Sequence, residues 1–153
     1  MNDVTITQAS EADIPELIEL LGVLFSIEQD FAPDPDKQRR GLASLLASSA
    51  GHIAIARDQA SRAVGMATAQ LVISTAEGAP SAWIEDVVVR EDWRGKGLGR
   101  SLLDAVLTWA RGQGAVRAQL LADLDNAPAL AFYDRLDWQP TRLGARRLML
   151  DKE

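Results

Sequence analysis

A basic, glycine-rich loop is the part of the sequence whose residue types and spacing most clearly point to chemistry. Arg94, Gly95, Lys96, Gly97 and Gly99 lie between a run of three valines and an amphipathic pattern of leucines. The first turn of a helix has unpaired N–H groups and a partial positive charge, so it binds phosphate groups. Glycine allows the backbone to approach a pyrophosphate closely. The pattern therefore predicts a phosphate site at the start of a helix.

Two common phosphate motifs do not fit this loop. A P-loop requires Gly-Lys-Ser/Thr, but here the loop reads Gly-Lys-Gly. A dinucleotide fingerprint requires Gly-x-Gly-x-x-Gly, and a motif that starts at Gly97 has Leu102 at its last position. The remaining pattern is Arg94-x-x-Gly97-x-Gly99, and a nucleotide-binding enzyme of either type is disfavoured.

Hydrophobic periodicity predicts the elements that position this loop. Alternating or wholly apolar runs predict strands at 4–7, 52–56, 64–75, 82–89, 116–122 and 146–151. Apolar residues spaced by three and four predict helices after Ser10, at 36–48, from 98 to about 111 and at 127–136. The order β-α-α-β-β-β-α-β-α-β predicts an α/β fold with a mixed, partly antiparallel sheet. One strand–helix–strand unit should be parallel. We expect a single domain over residues 1–153.

The segment from Trp83 to Ser101 resembles the coenzyme A signature of the GNAT family of N-acetyltransferases, Gln/Arg-x-x-Gly-x-Gly/Ala. The predicted element order is similar to that family over nearly the whole chain. The resemblance implies the GNAT acyltransferase fold, in which two central parallel strands splay apart. It also implies transfer of an acetyl group from acetyl-CoA to a primary amine of a small amine, polyamine or amino acid.

The resemblance assigns cofactor contacts to three parts of the chain. The valine strand pairs through its backbone with the pantetheine arm, the loop surrounds the pyrophosphate, and the start of a later helix also binds the cofactor. These implied residues are Val87, Val88, Val89, Arg94, Gly95, Lys96, Gly97, Leu98, Gly99, Arg100, Asn126 and Ala129. Asn126 can also cap the helix that follows it. Tyr133 matches the usual general acid of the family, and a packing role is its alternative.

A primary amine has a pKa of about 10, so it must lose a proton before it can attack. Glu85 is the predicted proton acceptor, because Ile84-Glu85-Asp86 resembles the string found in polyamine and related amine acetyltransferases. Strict strand alternation places Glu85 on the same face as Val87 and Asp86 on the opposite face, which suggests a structural role for Asp86. A carboxylate satisfied by arginine or backbone donors is the alternative for Glu85.

The acceptor site is predicted at the end of the first helix. Glu28 and Asp30 could hold a cationic acceptor there, and a solvated helix end is the alternative. Lys37, Arg39 and Arg40 lie nearby in the sequence and would instead favour an acceptor carboxylate. The sequence therefore does not decide whether the acceptor is an amino acid or an amine without a carboxylate.

Composition limits the other function classes. The chain has 153 residues, a formal net charge of -6, one His and no Cys. The acidic balance argues against a nucleic-acid partner. Without Cys there is no thiolate metal site and no acyl-cysteine, so we expect no metal and direct transfer in a ternary complex. No apolar run reaches the roughly 20 residues that span a bilayer, and no signal peptide is visible.

Further expectations follow from composition and resemblance together. We expect a cytoplasmic enzyme without a membrane partner, and the resemblance adds a homodimer to these expectations. Two rival functions share the predicted fold: a protein or peptide N-acetyltransferase, and a non-catalytic acyl-CoA-binding regulatory domain. Retained Glu85 and Tyr133 argue against the second rival, because a binding domain needs neither.

Overall fold

A five-stranded mixed sheet organises the first part of the structure, a computed structural model that describes residues 3–28 and 31–151. The chain forms two compact units, one ending at Leu120 and one beginning at Leu121. The strands of the first unit are β1 (Thr5–Gln8), β2 (Gly51–Arg57), β3 (Ala63–Ser74), β4 (Ala79–Val89) and β5 (Arg117–Leu120). Its helices are α1 (Ile14–Ile27), α2 (Pro35–Ala47) and α3 (Leu98–Gly112), with short 3-10 turns at Glu11–Asp13 and Glu91–Trp93.

The strands lie in the order β1-β2-β3-β4-β5. β1 to β4 are antiparallel neighbours, and β5 pairs with β4 in parallel after the crossover through α3. The predicted mixed α/β fold is therefore confirmed. β4 begins three residues earlier than predicted, at Ala79, because Ala79 and Pro80 pair with Ser74 and Ile73 of β3.

Side-chain caps explain where the first two helices begin. The Asp13 carboxylate accepts the backbone N–H of Ser10 at 2.8 Å, as predicted. This hydrogen bond closes a 3-10 turn and not the first turn of α1. α1 therefore begins only at Ile14. At α2 the Asp34 carboxylate accepts the N–H of Lys37 at 3.2 Å, which satisfies one free donor of the first turn.

Helices cover both faces of the sheet. On one face α1 and α2 bury a cluster that includes Leu17, Leu20, Ile53, Met66 and Val88. On the other face α3 packs through its leucine stripe, as predicted: a Cβ placed on Gly65, the neighbour of Met66, would lie 2.8 Å from Leu102 Cδ1. Adjacent strand residues point to opposite faces, so the two helical layers sandwich β3.

The second unit contains one helix, α4 (Ala127–Arg135). The predicted strand at 146–151 is wrong: within residues 121–151 no segment is assigned as a strand. A strand forms only when another backbone pairs with it, and the apolar pattern of Leu148, Met149 and Leu150 does not specify a partner. Over the residues that the structure describes, no helix is long and apolar enough to span a membrane.

Candidate active site

The two parallel strands stop pairing partway along β4. Their register ends where Ile84 lies opposite Leu120, whereas β4 itself continues to Val89. Within residues 3–28 and 31–151, no strand pairs with the segment Glu85–Val89 on the β5 side. Backbone N–H and C=O groups at such an edge can pair with an extended ligand. The opening between parallel strands that the resemblance implies is therefore present in the first unit.

The predicted phosphate loop follows this edge directly. Gly95 and Gly97 have φ values of +75° and +81°, which glycine adopts without strain. Gly97 caps α3, and its carbonyl accepts the N–H of Ser101 at 3.2 Å. The N–H groups of residues 98–100 precede this first helical hydrogen bond, so they are the donors available to a phosphate.

Basic side chains connect the loop to its surroundings. Arg94 Nε donates to the Val89 carbonyl at 3.1 Å, which ties the loop to the end of β4. Lys96 Nζ lies 4.8 Å from the centre of the Trp93 ring, a cation–π distance. Arg100 is exposed on the first turn of α3. The N–H donors at the start of α3 and the nearby basic side chains suit a pyrophosphate, and the open β4 edge suits an extended chain such as the pantetheine arm of coenzyme A.

A bulge in β4 overturns the predicted alternation at Glu85 and Asp86. Met66 of β3 lies opposite Val88, but Thr68 lies opposite Glu85, so β4 contains one extra residue between these pairs. Asp86, in the bulge, has φ +54°. The extra residue puts Glu85 on the face of Val88 instead of Val87, because Met66 and Thr68 share a face.

The bulge also places the Asp86 side chain on the face that carries Glu85, and not on the opposite face as predicted. Asp86 Oδ2 lies 3.4 Å from Thr68 Oγ1, on the face that carries Glu85. The same hydroxyl donates to the Glu85 carbonyl at 3.0 Å. The prediction that Asp86 points away from Glu85 is therefore wrong.

Burial, together with the negative charges of Glu85 and Glu28, raises the pKa of Asp86 to about 6, and the Thr68 hydroxyl opposes this shift. Glu85 itself is exposed. Glu28 follows α1, where its N–H donates to the Leu24 carbonyl at 2.9 Å. The charges of Glu28 and Glu85 thus both act on Asp86. Asp30, the other predicted acceptor ligand, lies outside the described residues.

The remaining predicted site residues belong to the second unit. The Asn126 side-chain oxygen accepts the Ala129 N–H at 3.2 Å, so Asn126 caps α4. The helix cap was one of the two roles predicted for this residue. Tyr133 is half-buried and contacts the rings of Phe132 and Trp138 edge-on, at centroid distances of 5.1 Å and 5.9 Å. These contacts fix the ring of Tyr133 and are compatible with either a packing or a catalytic role for its hydroxyl.

Sequence reasoning missed the importance of Asp86 and did not single out Thr68. A signal was present: two adjacent acidic residues interrupt a strand that is otherwise apolar from Ala82 to Val89. A carboxyl group in such a strand cannot be exposed on both faces, so one of the pair must be buried or the strand must be irregular. The strand is irregular at Asp86, which is half-buried.

The single histidine has a structural setting. The His52 ring stacks on Trp109 of α3 with centroids 4.9 Å apart, and burial lowers its pKa. Among residues 3–28 and 31–151, no three potential metal-ligating side chains form a group.

Comparison with known proteins gives consistent results. A sequence model of the Acetyltransferase (GNAT) family matches residues 23–138. An aminoglycoside N(6')-acetyltransferase type 1 from Stenotrophomonas maltophilia is 32% identical over 113 residues, which are 72% of this chain and 69% of that protein.

Two solved structures share the fold at lower sequence identity. A Trypanosoma brucei acetyltransferase has a TM-score of 0.76 at 24% identity, covering 96% of this chain and 100% of that one. An aminoglycoside acetyltransferase from an uncultured soil metagenomic sample has a TM-score of 0.78 at 23% identity, covering 98% and 97%.

Proposed function

Since the chain belongs to the GNAT family of acetyltransferases, we propose that it transfers the acetyl group of acetyl-CoA directly to a primary amine of a small polycationic molecule. The observation that carries this proposal is the open β4 edge from Glu85 to Val89, which leads into the glycine-capped start of α3. A small acceptor of the aminoglycoside class is supported by the relative from Stenotrophomonas maltophilia.

The proposed donor site uses backbone more than side chains. Acetyl-CoA, when bound, supplies the thioester that the amine attacks. The backbone of Val87, Val88 and Val89 holds the pantetheine arm, and residues 94–100 hold the pyrophosphate. A backbone N–H of the valine segment stabilises the negative charge that develops on the thioester oxygen. In the second unit, Asn126 and Ala129 are further proposed contacts.

The proposed proton transfers use one acid and one base. Tyr133 protonates the departing thiolate, whose conjugate acid has a pKa of about 8.5 by analogy with Cys. The base belongs to the Glu85–Asp86 pair on β4. Glu28, and Asp30 beyond the described residues, are proposed to attract the cationic acceptor, which the negative charge of the chain also favours.

Other expectations remain proposals of the sequence and the family resemblance. These are a homodimer, a cytoplasmic location, a single-domain organisation, and the absence of metal, nucleic-acid and membrane partners. A mass corresponding to two chains in light scattering checks the homodimer.

The deciding experiment measures thiol release from acetyl-CoA with a panel of aminoglycosides, polyamines, amino acids and short peptides. We expect release that depends on an aminoglycoside or polyamine. Tyr133→Phe should lower kcat about 100-fold, within the usual range for loss of a general acid. Phe132→Leu is the matched control, since it changes ring packing beside Tyr133 and leaves the hydroxyl in place.

Each other outcome selects a different function. A preference for peptides would favour a protein N-acetyltransferase. Acetyl-CoA binding without release for any acceptor would favour a regulatory domain. A trapped acetyl-enzyme would contradict direct transfer.

A further inference from the structure

A row of three side chains crosses the sheet just before the two parallel strands separate. Trp83 of β4 lies opposite Gln70 of β3 on one side and opposite Gln119 of β5 on the other. Residues that lie opposite each other in neighbouring strands project from the same face of a sheet. The Trp83 row, formed by Gln70, Trp83 and Gln119, therefore presents an indole ring between two side-chain amides.

The Trp83 row lies on the face that carries Glu85. Thr68 pairs with Glu85 two residues along each strand, and side chains two residues apart share a face. At a rise of about 3.4 Å per residue, the row is about 7 Å from Glu85, where the open edge of β4 begins. A small molecule that lies on the row can therefore place a substituent at the start of this edge.

Helix α2 bounds the row at one end. Gly51 of β2 lies opposite Gln70 and continues the row. A Cβ on Gly51 would lie 2.5 Å from Cδ1 of Leu45, so this residue of α2 sits directly on the strand. The row is thus a shallow surface with a helical wall at its β2 end.

The polar groups of the Trp83 row are available to a ligand. Gln70 is exposed, and Trp83 and Gln119 are half-buried. Over the described part of the chain, neither glutamine side chain forms a hydrogen bond, and the indole N–H forms none either. An aromatic surface with a few convergent polar groups is typical of small-molecule sites.

We propose that the Trp83 row binds a sugar ring of the acceptor, so that the preferred acceptor is an amino sugar and not a linear polyamine or an amino acid. The inference rests on the proposed acetyl transfer and names the acceptor class of the same site. Trp83, Gln70 and Gln119 are then specificity-determining residues, which hold the ring while its amine lies at the open edge.

A pyranose ring matches each part of the row. One face of the ring presents C–H groups, which carry a weak positive charge and are attracted to the negative face of an indole. Its hydroxyl groups need hydrogen-bond partners, and each glutamine amide offers two N–H donors and one carbonyl acceptor. An ammonium group on the ring is attracted to the exposed carboxylate of Glu85.

The other two acceptor classes use less of this surface. A linear polyamine has no hydroxyl groups and no rigid face, so it cannot stack on Trp83 and bond to both amides at once. An amino acid carries a carboxylate, which the charge of Glu85 repels. The row therefore predicts selectivity among amines as well as affinity.

The first test compares sisomicin, which contains amino sugar rings, with spermidine. The wild type should favour sisomicin at least tenfold in kcat/KM. Trp83→Leu should raise the KM for sisomicin about tenfold and change kcat and the KM for acetyl-CoA less than about threefold, because it removes stacking and leaves the open edge intact. Trp83→Phe keeps an aromatic face and should restore the KM to within about threefold of the wild type.

The second test removes the amides at the surface, where loss of folding is not expected. Gln70→Leu and Gln119→Leu should each raise the KM for sisomicin about fivefold, the usual effect of one lost hydrogen bond. Gln8→Leu is the matched control. Gln8 is an exposed glutamine of β1, and its partner Ala54 lies opposite Ala67, on the other face of the sheet. It should leave every constant unchanged.

Calorimetry of sisomicin binding in the absence of acetyl-CoA separates this inference from the proposed function. The inference is overturned, and the proposed function stands, if the wild type acetylates sisomicin while Trp83→Leu and both glutamine variants keep its KM within twofold. It is also overturned if the wild type prefers spermidine or an amino acid. A wild type that acetylates no acceptor overturns the proposed function, and sisomicin binding that weakens in the same variants would then support the sugar-binding row alone.

Discussion

At Asp86, a strained backbone and a desolvated charge occur in one residue. The folded state raises its pKa from 3.8 to about 6, so it holds the proton more tightly than the unfolded chain does. Ionisation of Asp86 between about pH 4 and 7 therefore removes stability. At about 1.4 kcal/mol for each pH unit, the loss is roughly 3 kcal/mol at neutral pH.

Asp86→Asn should consequently stabilise the protein at neutral pH. Asparagine tolerates a positive φ and can accept from Thr68, but it carries no charge. We expect the free energy of unfolding in urea to rise by about 1–3 kcal/mol at pH 7.5 and to change little at pH 4. Asp104→Asn, at an exposed position of α3, is the control and should stay within about 0.5 kcal/mol. A destabilised Asp86→Asn at pH 7.5 would contradict the described burial.

At the scale of elements, the start of α3 depends on one backbone conformation. Gly97 has φ +81° and caps the helix, and a Cβ there would meet no atom within 4 Å. A substitution therefore causes strain and no steric clash. The left-handed conformation costs an L-residue about 1–2 kcal/mol, so the chain would relax and turn the first N–H groups away from the phosphate.

Gly97→Ala should therefore raise the Kd of acetyl-CoA about tenfold, measured by calorimetry, since 1–2 kcal/mol corresponds to roughly that factor. Gly112→Ala is the matched control in the same helix. A Cβ at Gly112 also meets nothing within 4 Å, and its φ is not in the left-handed region. Equal effects of the two substitutions would show that the cap conformation does not control binding.

The two bulges illustrate what patterns can and cannot predict about elements. Gly65 suggested an irregularity in β3, and the register does shift there, between Ala56 and Arg57 of β2. No glycine marks the bulge at Asp86 in the sequence. This bulge places Glu85 on the face of Val88 and not on the face of Val87. Strand alternation could therefore identify the strand but not the orientation of its two carboxylates.

At the scale of the whole molecule, Arg57 joins the N-terminal elements to the sheet. Its guanidinium forms ion pairs with Asp13 and, at 2.8 Å, with Glu16. Arg57 and the Ala63 N–H lower the pKa of Glu16 by hydrogen bonding. Burial alone would raise the pKa of Asp13, but hydrogen bonds from Ser10 and Arg57 lower it overall. Both carboxylates thus stabilise the fold while ionised.

This network should make the protein acid-sensitive. Stability from Asp13 and Glu16 is complete above their ordinary pKa values of 3.8 and 4.5 and is lost as pH falls through the lower folded values. Arg57→Met should cost about 1–3 kcal/mol at pH 7 and reduce the stability lost between pH 5 and 3 in urea unfolding. Arg39→Met, at an exposed pair, should cost under about 0.5 kcal/mol. An unchanged pH dependence in Arg57→Met would exclude this role.

The sequence by itself determined the family, the element order up to α4 and the glycine loop at the start of α3. These depend on local properties: apolar periodicity, helix caps, and glycines that precede a helix. Tertiary structure alone decided the point at which β4 and β5 part, the bulge that places Asp86 beside Thr68, and the absence of a strand at 146–151. Each of these depends on how one backbone pairs with another that is distant in the chain, and pairing register is not encoded in any single segment.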